Sequence, residues 1–254
     1  MESIVAIIGL FFAGVFAGAI NSVAGGGSLI SFPSLVAAGV PAIPANATNT
    51  AAMWPGSLSS AWAYSRETRT DLSLVLTLLV PSAIGALLGA IALVVTPPEL
   101  FNEVVPFLVL FATVLFAARG FFDRLAELTD SAEKVSLLGR VWGFVFQLFV
   151  ATYGGYFGAG IGILMLGSLS IMGMRDIQRM NALKTILAVV INLIAFFYFV
   201  ARGLVVWPIA ILMAIGAIVG GYGGARLASR VDQRVLRAFI VVVGLGVSAW
   251  FYIK

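Results

Sequence analysis

The chain has 254 residues, of which 61% are hydrophobic and only 10% are charged. Soluble domains carry about 25% charged residues, so this composition excludes an ordinary soluble protein. Fifteen Lys and Arg against eleven Asp and Glu leave a net charge of +4, too small an excess to indicate a nucleic-acid partner. The chain has no cysteine and no histidine, which excludes thiol nucleophiles, disulfides, imidazole catalysis and metal sites built on these residues.

Apolar runs interrupted by charged or turn residues predict ten helical elements. Most of them reach the roughly 20 residues that a transmembrane helix needs. In chain order they cover residues 3–24, 27–40, 45–64, 71–96, 101–118, 137–156, 158–173, 180–200, 205–226 and 234–253. The first run lacks a basic leading segment and a clear cleavage site, so we expect it to remain in the mature protein.

Two of these elements, at 27–40 and 158–173, are too short for a full span, and each is entered through glycine-rich sequence. Both halves then read as five elements in the same order, with the short one second. We therefore predict an internal duplication. The predicted parts are a first repeat at 1–118, a basic cytoplasmic loop at 119–136 and a second repeat at 137–254.

The distribution of Lys and Arg predicts the orientation, because basic residues stay on the cytoplasmic side of short loops. With ten crossings and an external N-terminus, only Arg202 and Lys254 fall outside. The basic residues assigned to the inside are Arg66, Arg69, Arg119, Arg124, Lys134, Arg140, Arg175, Arg179, Lys184, Arg226, Arg230, Arg234 and Arg237. Five elements per half is an odd number, so the second repeat enters the membrane in the opposite sense. The sequence thus predicts an all-α polytopic membrane protein built as an inverted repeat.

An inverted repeat with one broken helix in each half is typical of secondary transporters. A helix broken in lipid leaves unpaired N–H groups, which are tolerated where they line a cavity or bind a ligand. Helix N-termini favour anions. The alternative is that the glycines only allow helices to pack closely, as the spacing of Gly85 with Gly89 and of Gly216 with Gly220 indicates.

Several of these segments together carry a resemblance to a known family. They are Gly14-Val15-Phe16-Ala17-Gly18, Gly25-Gly26-Gly27-Ser28, Pro33, Gly39, Ala45-Asn46-Ala47-Thr48-Asn49 and, in the second half, the glycine run at 154–162. This set resembles the signature of the TauE/SafE sulfite exporter family and its repeat. The resemblance implies a bacterial or archaeal inner-membrane permease for sulfite, sulfonates or other organosulfur acids, usually moving them outward. It does not identify the substrate.

An anion in a low-dielectric cavity must be met by backbone N–H groups, hydroxyls, amides or a cation. The residues that we predict to bind substrate offer such groups beside helix ends. They are Gly25, Gly26, Gly27, Ser28, Asn46, Thr48, Asn49, Gly158, Gly160, Asn181 and Lys184. For the Ser, Thr and Asn residues among them, ordinary helix capping is the alternative interpretation.

Lys184 is the basic residue placed farthest inside an apolar element. It could supply the counter-charge of the anion, or its ammonium could reach the cytoplasmic interface. When the two halves are aligned, we place Asn181 at the position of Ala47 and Lys184 at the position of Thr50. The mid-element amides of Gln147 and Asn192 could contact substrate or bond between helices.

All Asp and Glu residues fall in or beside predicted loops, so no carboxylate proton relay or carboxylate sodium site is predicted. We expect transport driven by the membrane potential, with no cofactor. An intramembrane enzyme is disfavoured because histidine, cysteine and a Gly-x-Ser-x-Gly motif are missing. The predicted partners are a small anion and the lipid bilayer. An anion channel, a carrier of small carboxylates and a homo-oligomer stay open.

Overall fold

A computed structural model describes residues 4–23, 25–64, 72–128, 137–172, 174, 177–227 and 233–253. Within these ranges the chain forms ten α-helices and no β-strand. The helices are α1 (Ile4–Val23), α2 (Ser28–Ala37), α3 (Ala42–Tyr64), α4 (Leu72–Val95), α5 (Pro98–Leu128), α6 (Leu137–Tyr156), α7 (Ile161–Ile171), α8 (Ile177–Ala201), α9 (Trp207–Leu227) and α10 (Gln233–Ile253). Each corresponds to one predicted element, which confirms the all-α architecture.

The largest difference between the predicted and the observed bounds is at the end of α5. The prediction ends this element at 118, whereas the helix continues to Leu128. Residues 119–128 are less apolar but contain no proline, so nothing in them stops the helix. The prediction followed hydrophobicity, which marks the bilayer boundary rather than the helix end. Part of the predicted loop at 119–136 is therefore helical.

Five of the helices are long and apolar enough to cross a membrane: Ile4–Val23, Val75–Val95, Pro98–Ala118, Arg179–Ala201 and Trp207–Leu227. In contrast, α2 has 10 residues and α7 has 11. At 1.5 Å per residue these two helices are about 15–17 Å long, roughly half of the bilayer core.

The orientation of the chain in the membrane, with ten crossings and both termini outside, stays a prediction. Many of the basic residues on which this prediction rests lie outside the described residues. They are Arg66, Arg69, Lys134, Arg175 and Arg230.

Each main contact between helices of the two halves has a counterpart when α1–α5 are matched in order with α6–α10. Helix α1 packs against α9, and its counterpart α6 packs against α4. Likewise α3 packs against α9 and α8 against α4, while α5 contacts α10 and α3 contacts α8. This pattern is the one expected of a duplicated chain. The opposite orientation of the two repeats in the membrane stays a prediction.

Glycines allow the closest of these helix pairs to form. A Cβ atom on Gly18 would collide with the carbonyl oxygen of Ala217, and one on Gly155 with that of Ala86. The glycine pair Gly85 and Gly89 lies in the same way against α6, and Gly216 and Gly220 lie against α1. Small residues let the backbones approach, which compensates for the weak hydrophobic drive between helices in lipid.

Candidate functional site

The two glycine turns meet in the interior of the molecule. A Cβ atom on Gly25 would lie 2.7 Å from the Cα of Gly162, and one on Gly162 would lie 2.8 Å from the Cα of Gly25. The backbones of the two halves are therefore in direct contact. Gly25 has a φ of 82° and Gly158 one of 80°, conformations that L side chains rarely adopt. The turns thus need glycine for both their conformation and their contact.

The short helices α2 and α7 begin immediately after these turns. Gly27 stands at the N-cap of α2, and as a glycine it supplies no side-chain cap to this helix end. Helix α7 begins at Ile161, next to the contact residue Gly162. Two helix N-termini, each with a partial positive charge from the aligned peptide dipoles, therefore lie close together. Backbone N–H groups at such ends are suited to anions.

A small cavity of about 20 Å³, here named the central cavity, lies beside this contact. It has room for about one water molecule. Its walls are formed by Asn21, Ser22, Gly25, Ser28, Met53, Ser57, Ser60, Gly158, Ile161, Gly162, Lys184, Thr185, Ala188 and Asn192. Among these described residues there is no carboxylate, and the wall combines one cation with hydroxyls, amides and glycine backbone.

Lys184 is the cation of the central cavity. Its side chain is only 2% exposed, and its ammonium donates a hydrogen bond to Asn181 Oδ1 at 3.1 Å. Its Cδ atom lies 3.3 Å from where a Cβ atom on Gly162 would be. The lysine therefore lies against the turn of α7, not at the surface of the molecule. A buried ammonium that lines a cavity raises the local affinity for anions, because the low dielectric strengthens its field.

One face of α3 is polar along most of its length. Asn46, Asn49, Met53, Ser57 and Ser60 follow one another at intervals of three or four residues, so they lie on the same side of the helix. The last three line the central cavity. The methionine is the only apolar residue in this stripe.

Asn49 lies behind the cavity wall and is bonded to two serines of α2. Its Nδ2 donates to Ser28 Oγ at 3.1 Å, and its Oδ1 accepts a hydrogen bond from Ser31 Oγ. Ser28 lines the cavity, whereas Asn49 and Ser31 do not. The amide thus forms the middle of a short hydrogen-bond chain that ends at the cavity.

Four of the predicted site residues come together on the wall of the central cavity: Gly25, Ser28, Gly158 and Lys184. The others surround it without lining it. They are Gly26, Gly27, Asn46, Thr48, Asn49, Gly160 and Asn181.

Several of these surrounding residues have clear structural contacts. Thr48 Oγ1 accepts a hydrogen bond from the backbone N–H of Val206 at 3.0 Å. Asn46 Nδ2 donates to the carbonyl of Tyr156 at 2.7 Å, joining α3 to the end of α6. A Cβ atom on Gly26 would collide with a phenylalanine ring of α5. These contacts account for Thr48 and Gly26, whereas Asn46 Oδ1 is buried without a hydrogen-bond partner among the described residues.

The sequence analysis did not predict several of the wall residues as binding residues. They are Met53, Ser57, Ser60, Ile161, Gly162, Thr185 and Ala188. The polar stripe on α3 was the signal that could have revealed Ser57 and Ser60. The contact of Gly162 with Gly25 has no local signal, because it joins residues from different halves.

Matching hydrogen bonds occur in α3 and α8. The γ-hydroxyl of Thr50 donates to the carbonyl of Asn46 at 3.1 Å, and that of Thr185 donates to the carbonyl of Asn181 at 2.7 Å. Residues 46–50 and 181–185 also share Asn, Ala and Thr at their first, second and fifth positions. We therefore adopt an alignment in which Lys184 corresponds to Asn49, one residue away from the predicted register.

A second cavity, here named the end cavity, lies at the opposite end of α2. It has a volume of about 790 Å³. Gly39, Pro41, Pro44, Thr96 and Leu204 are among the residues that line it. Ala42, Ile43 and Pro44 in the first turn of α3 line this cavity, whereas residues farther along α3 line the central one.

Residues 10–251 match the family described as sulfite exporter TauE/SafE. The chain is 30% identical over 244 residues to the "Probable membrane transporter protein ORF9" of Sinorhizobium sp., covering 94% of this chain and 89% of that relative. It is 27% identical to a "Probable membrane transporter protein" of Haemophilus influenzae, covering 96% of each chain. It is also 27% identical to the "Probable membrane transporter protein YfcA" of Escherichia coli K12, over 94% of this chain and 87% of the relative.

No solved structure shows a significant match to the chain. The family match covers nearly the whole sequence, including both glycine turns and α8. The chain therefore belongs to the TauE/SafE sulfite exporter family.

Proposed function

We propose that this protein exports small sulfur oxyanions, such as sulfite, sulfonates or other organosulfur acids, across a bacterial or archaeal inner membrane. The substrate binds in the central cavity. The observation that carries the proposal is the junction of two helix N-termini with the buried ammonium of Lys184, in a wall whose described residues include no carboxylate. Such a wall favours an anion over a cation or a neutral solute.

The neutral groups of the wall complete the anion site. Ser28 offers a hydroxyl, Asn192 offers an amide, and the turns at Gly25 and Gly158 bring backbone close to the cavity. An anion that leaves water needs several such donors, because one unpaired charge in a low-dielectric interior is very costly. Small glycine residues let the substrate approach the peptide N–H groups directly.

The size of the central cavity implies that binding requires a conformational change. About 20 Å³ holds little more than one water molecule, whereas sulfite has four heavy atoms. The cavity must widen for the substrate to enter. In our proposal the half-length helices α2 and α7 move relative to each other, opening the site alternately to the two sides, as in transporters built from inverted repeats.

The membrane potential supplies the driving force in this proposal. A cell interior that is negative pushes an anion outward, and each charge crossing 100 mV gains about 2.3 kcal/mol. This energy supports roughly fiftyfold accumulation outside. Because no acidic residue among those described lines the central cavity, the wall offers no carboxylate that would carry a coupled proton.

The proposal is tested by anion flux into proteoliposomes with an imposed membrane potential. We expect voltage-dependent, saturable flux of sulfite or a simple alkanesulfonate that exceeds the flux of acetate and chloride. Lys184→Met should lower this flux by at least about tenfold, because a hydrogen bond to a charged group contributes about 1.5–3 kcal/mol. Lys184→Arg is the matched control that keeps the charge, and it should retain more flux than Lys184→Met.

Each contrary result has a specific meaning. Equal flux of Lys184→Met and wild-type protein would remove Lys184 from the site. Preference for acetate would instead indicate a carrier of small carboxylates. Flux that neither saturates nor responds to substrate on the opposite side would indicate a channel. Sulfur-anion flux that follows pH but not voltage would contradict the proposed driving force.

A further inference from the structure

The hydrogen-bond chain from Ser31 through Asn49 to Ser28 has a direction. Ser31 Oγ donates to Asn49 Oδ1, and Asn49 Nδ2 donates to Ser28 Oγ at 3.1 Å. Ser28 is the acceptor at the end of this chain. Within the described part of the protein its own hydroxyl proton has no acceptor, and Ser28 lines the central cavity. That proton is therefore available to a bound ligand.

From this direction we propose that Asn49 is a positioning residue that holds the Ser28 hydroxyl as a hydrogen-bond donor toward the central cavity. The inference rests on the proposed function and defines the ligand more closely. Asn49 Nδ2 occupies one of the two lone pairs of Ser28 Oγ, so the hydroxyl proton is the group that Ser28 offers toward the cavity. A ligand acceptor, such as a deprotonated sulfite or sulfonate oxygen, fits this position.

The Asn49 amide must keep one orientation to hold the Ser28 proton toward the cavity. A rotated Asn49 side chain would direct Oδ1 toward Ser28, and the Ser28 hydroxyl would then donate to the amide instead of to the cavity. The Ser31 hydroxyl lies near two acceptors, Asn49 Oδ1 and the carbonyl of Gly27 at 3.2 Å. Its contact with Oδ1 is the shorter one and favours the observed orientation of the amide. Both Asn49 and Ser31 are buried, with 2% and 0% exposure, so water is excluded as a substitute partner.

A double-mutant cycle between Ser31→Ala and Ser28→Ala tests this role through sulfite flux in proteoliposomes. Ser31 does not line the cavity, and its hydroxyl contacts Asn49 Oδ1 and, at 3.2 Å, the carbonyl of Gly27. Its effect on Ser28 is therefore transmitted through the amide, and the double-mutant cycle isolates that part. We expect Ser31→Ala to raise the KM for sulfite roughly three- to tenfold in the wild-type background. This change corresponds to the loss of about one hydrogen bond. In the Ser28→Ala background the same change should have almost no effect, because the donor is already gone.

Ser34→Ala is the matched control, since Ser34 lies on the same helix and its hydroxyl bonds only to the carbonyl of Ile30, at 2.8 Å. Ser34→Ala should leave the KM for sulfite unchanged. Ser31→Thr keeps the hydroxyl and should have the wild-type KM. If Ser31→Ala does not yield folded protein, Asn49→Asp tests the same contact. Its carboxylate would accept the Ser28 proton and raise the KM roughly ten- to hundredfold.

If the fold-changes in KM of Ser28→Ala and Ser31→Ala simply multiply in the double variant, the positioning role of Asn49 is overturned. The proposed transport function would remain in place. An unchanged KM in Ser31→Ala or in Asn49→Asp would also overturn that role alone. Wild-type protein that carries no sulfur oxyanion would overturn both the proposed function and this inference.

Discussion

At equivalent positions of α3 and α8, the two halves of the chain carry Asn49 and Lys184. Both side chains are buried, and both belong to a helix that borders the central cavity. Lys184 reaches the cavity wall itself, with its ammonium bonded to Asn181. Asn49 stops behind the wall and acts on Ser28.

The contrast shows that the two halves are alike in packing and different in chemistry. Helix contacts are repeated when the halves are exchanged, and both glycine turns bring backbone to the same point. The polar groups at that point are not repeated. In the proposed anion site, one ammonium from the second half faces neutral groups of the first half, and a second buried lysine would add a large desolvation cost.

The largest effect is expected where the two halves share their packing. Gly25→Ala would place a Cβ atom 2.7 Å from the backbone of Gly162 in a residue with a φ of 82°. Strain and overpacking together should lower the free energy of unfolding by roughly 2–5 kcal/mol. The measurement is the melting temperature of the detergent-purified protein, together with sulfite flux, which we expect to be lost.

Gly39→Ala provides the control for this substitution. Gly39 has a φ of 88°, but no atom lies within 4 Å of the position that its Cβ would take, so only the conformational strain of about 1–2 kcal/mol applies. Equal destabilisation by both substitutions would show that contact between the halves at Gly25 is unimportant.

An intermediate effect is expected at Thr48, whose counterpart in α8 is the apolar residue Leu183. Thr48→Val removes the acceptor of the Val206 N–H and should cost about 1–3 kcal/mol of stability, with flux per folded protein unchanged. Chemical or thermal unfolding measures the loss. Thr50→Val is the control, because Thr50 only donates to a carbonyl of its own helix. Flux that collapses in Thr48→Val at unchanged stability would instead make Thr48 a substrate ligand.

The smallest effect is expected in the short helix α7. Gly167 has no atom within 4 Å of the position that a Cβ would occupy, so Gly167→Ala should raise stability by about 0.5–1 kcal/mol through the lower entropy of the unfolded chain. Gly9→Ala offers the same open environment in the full-length helix α1, and a similar gain is expected there. A lower melting temperature for Gly167→Ala alone would show that α7 needs a flexible backbone.

The sequence was sufficient to predict the helices because length and hydrophobicity decide what can cross a bilayer. The same criterion failed at the end of α5, where the helix extends to Leu128 beyond the apolar segment. The alignment of α3 with α8 stays a prediction. Hydrophobic patterns do not distinguish registers that differ by one residue, and the hydroxyls of Thr50 and Thr185 each bond to a carbonyl of their own helix.

Parts of the candidate site could be predicted from local signals. A glycine turn followed by Ser28, and a lysine inside an apolar element, are visible in the sequence alone. The contact of Gly25 with Gly162 was not predictable, because it depends on how distant helices pack. The role of Asn49 behind Ser28 depends on side-chain geometry that spacing along the chain does not determine.

The end cavity limits the distance over which a substrate would travel without water in the proposed transport cycle. With a volume of about 790 Å³ it can hold many water molecules, and the first turn of α3 lines it. An anion that moves from the central cavity to the end cavity would pass roughly the length of α2, about 15 Å. Only this stretch of the path would require a dehydrated substrate.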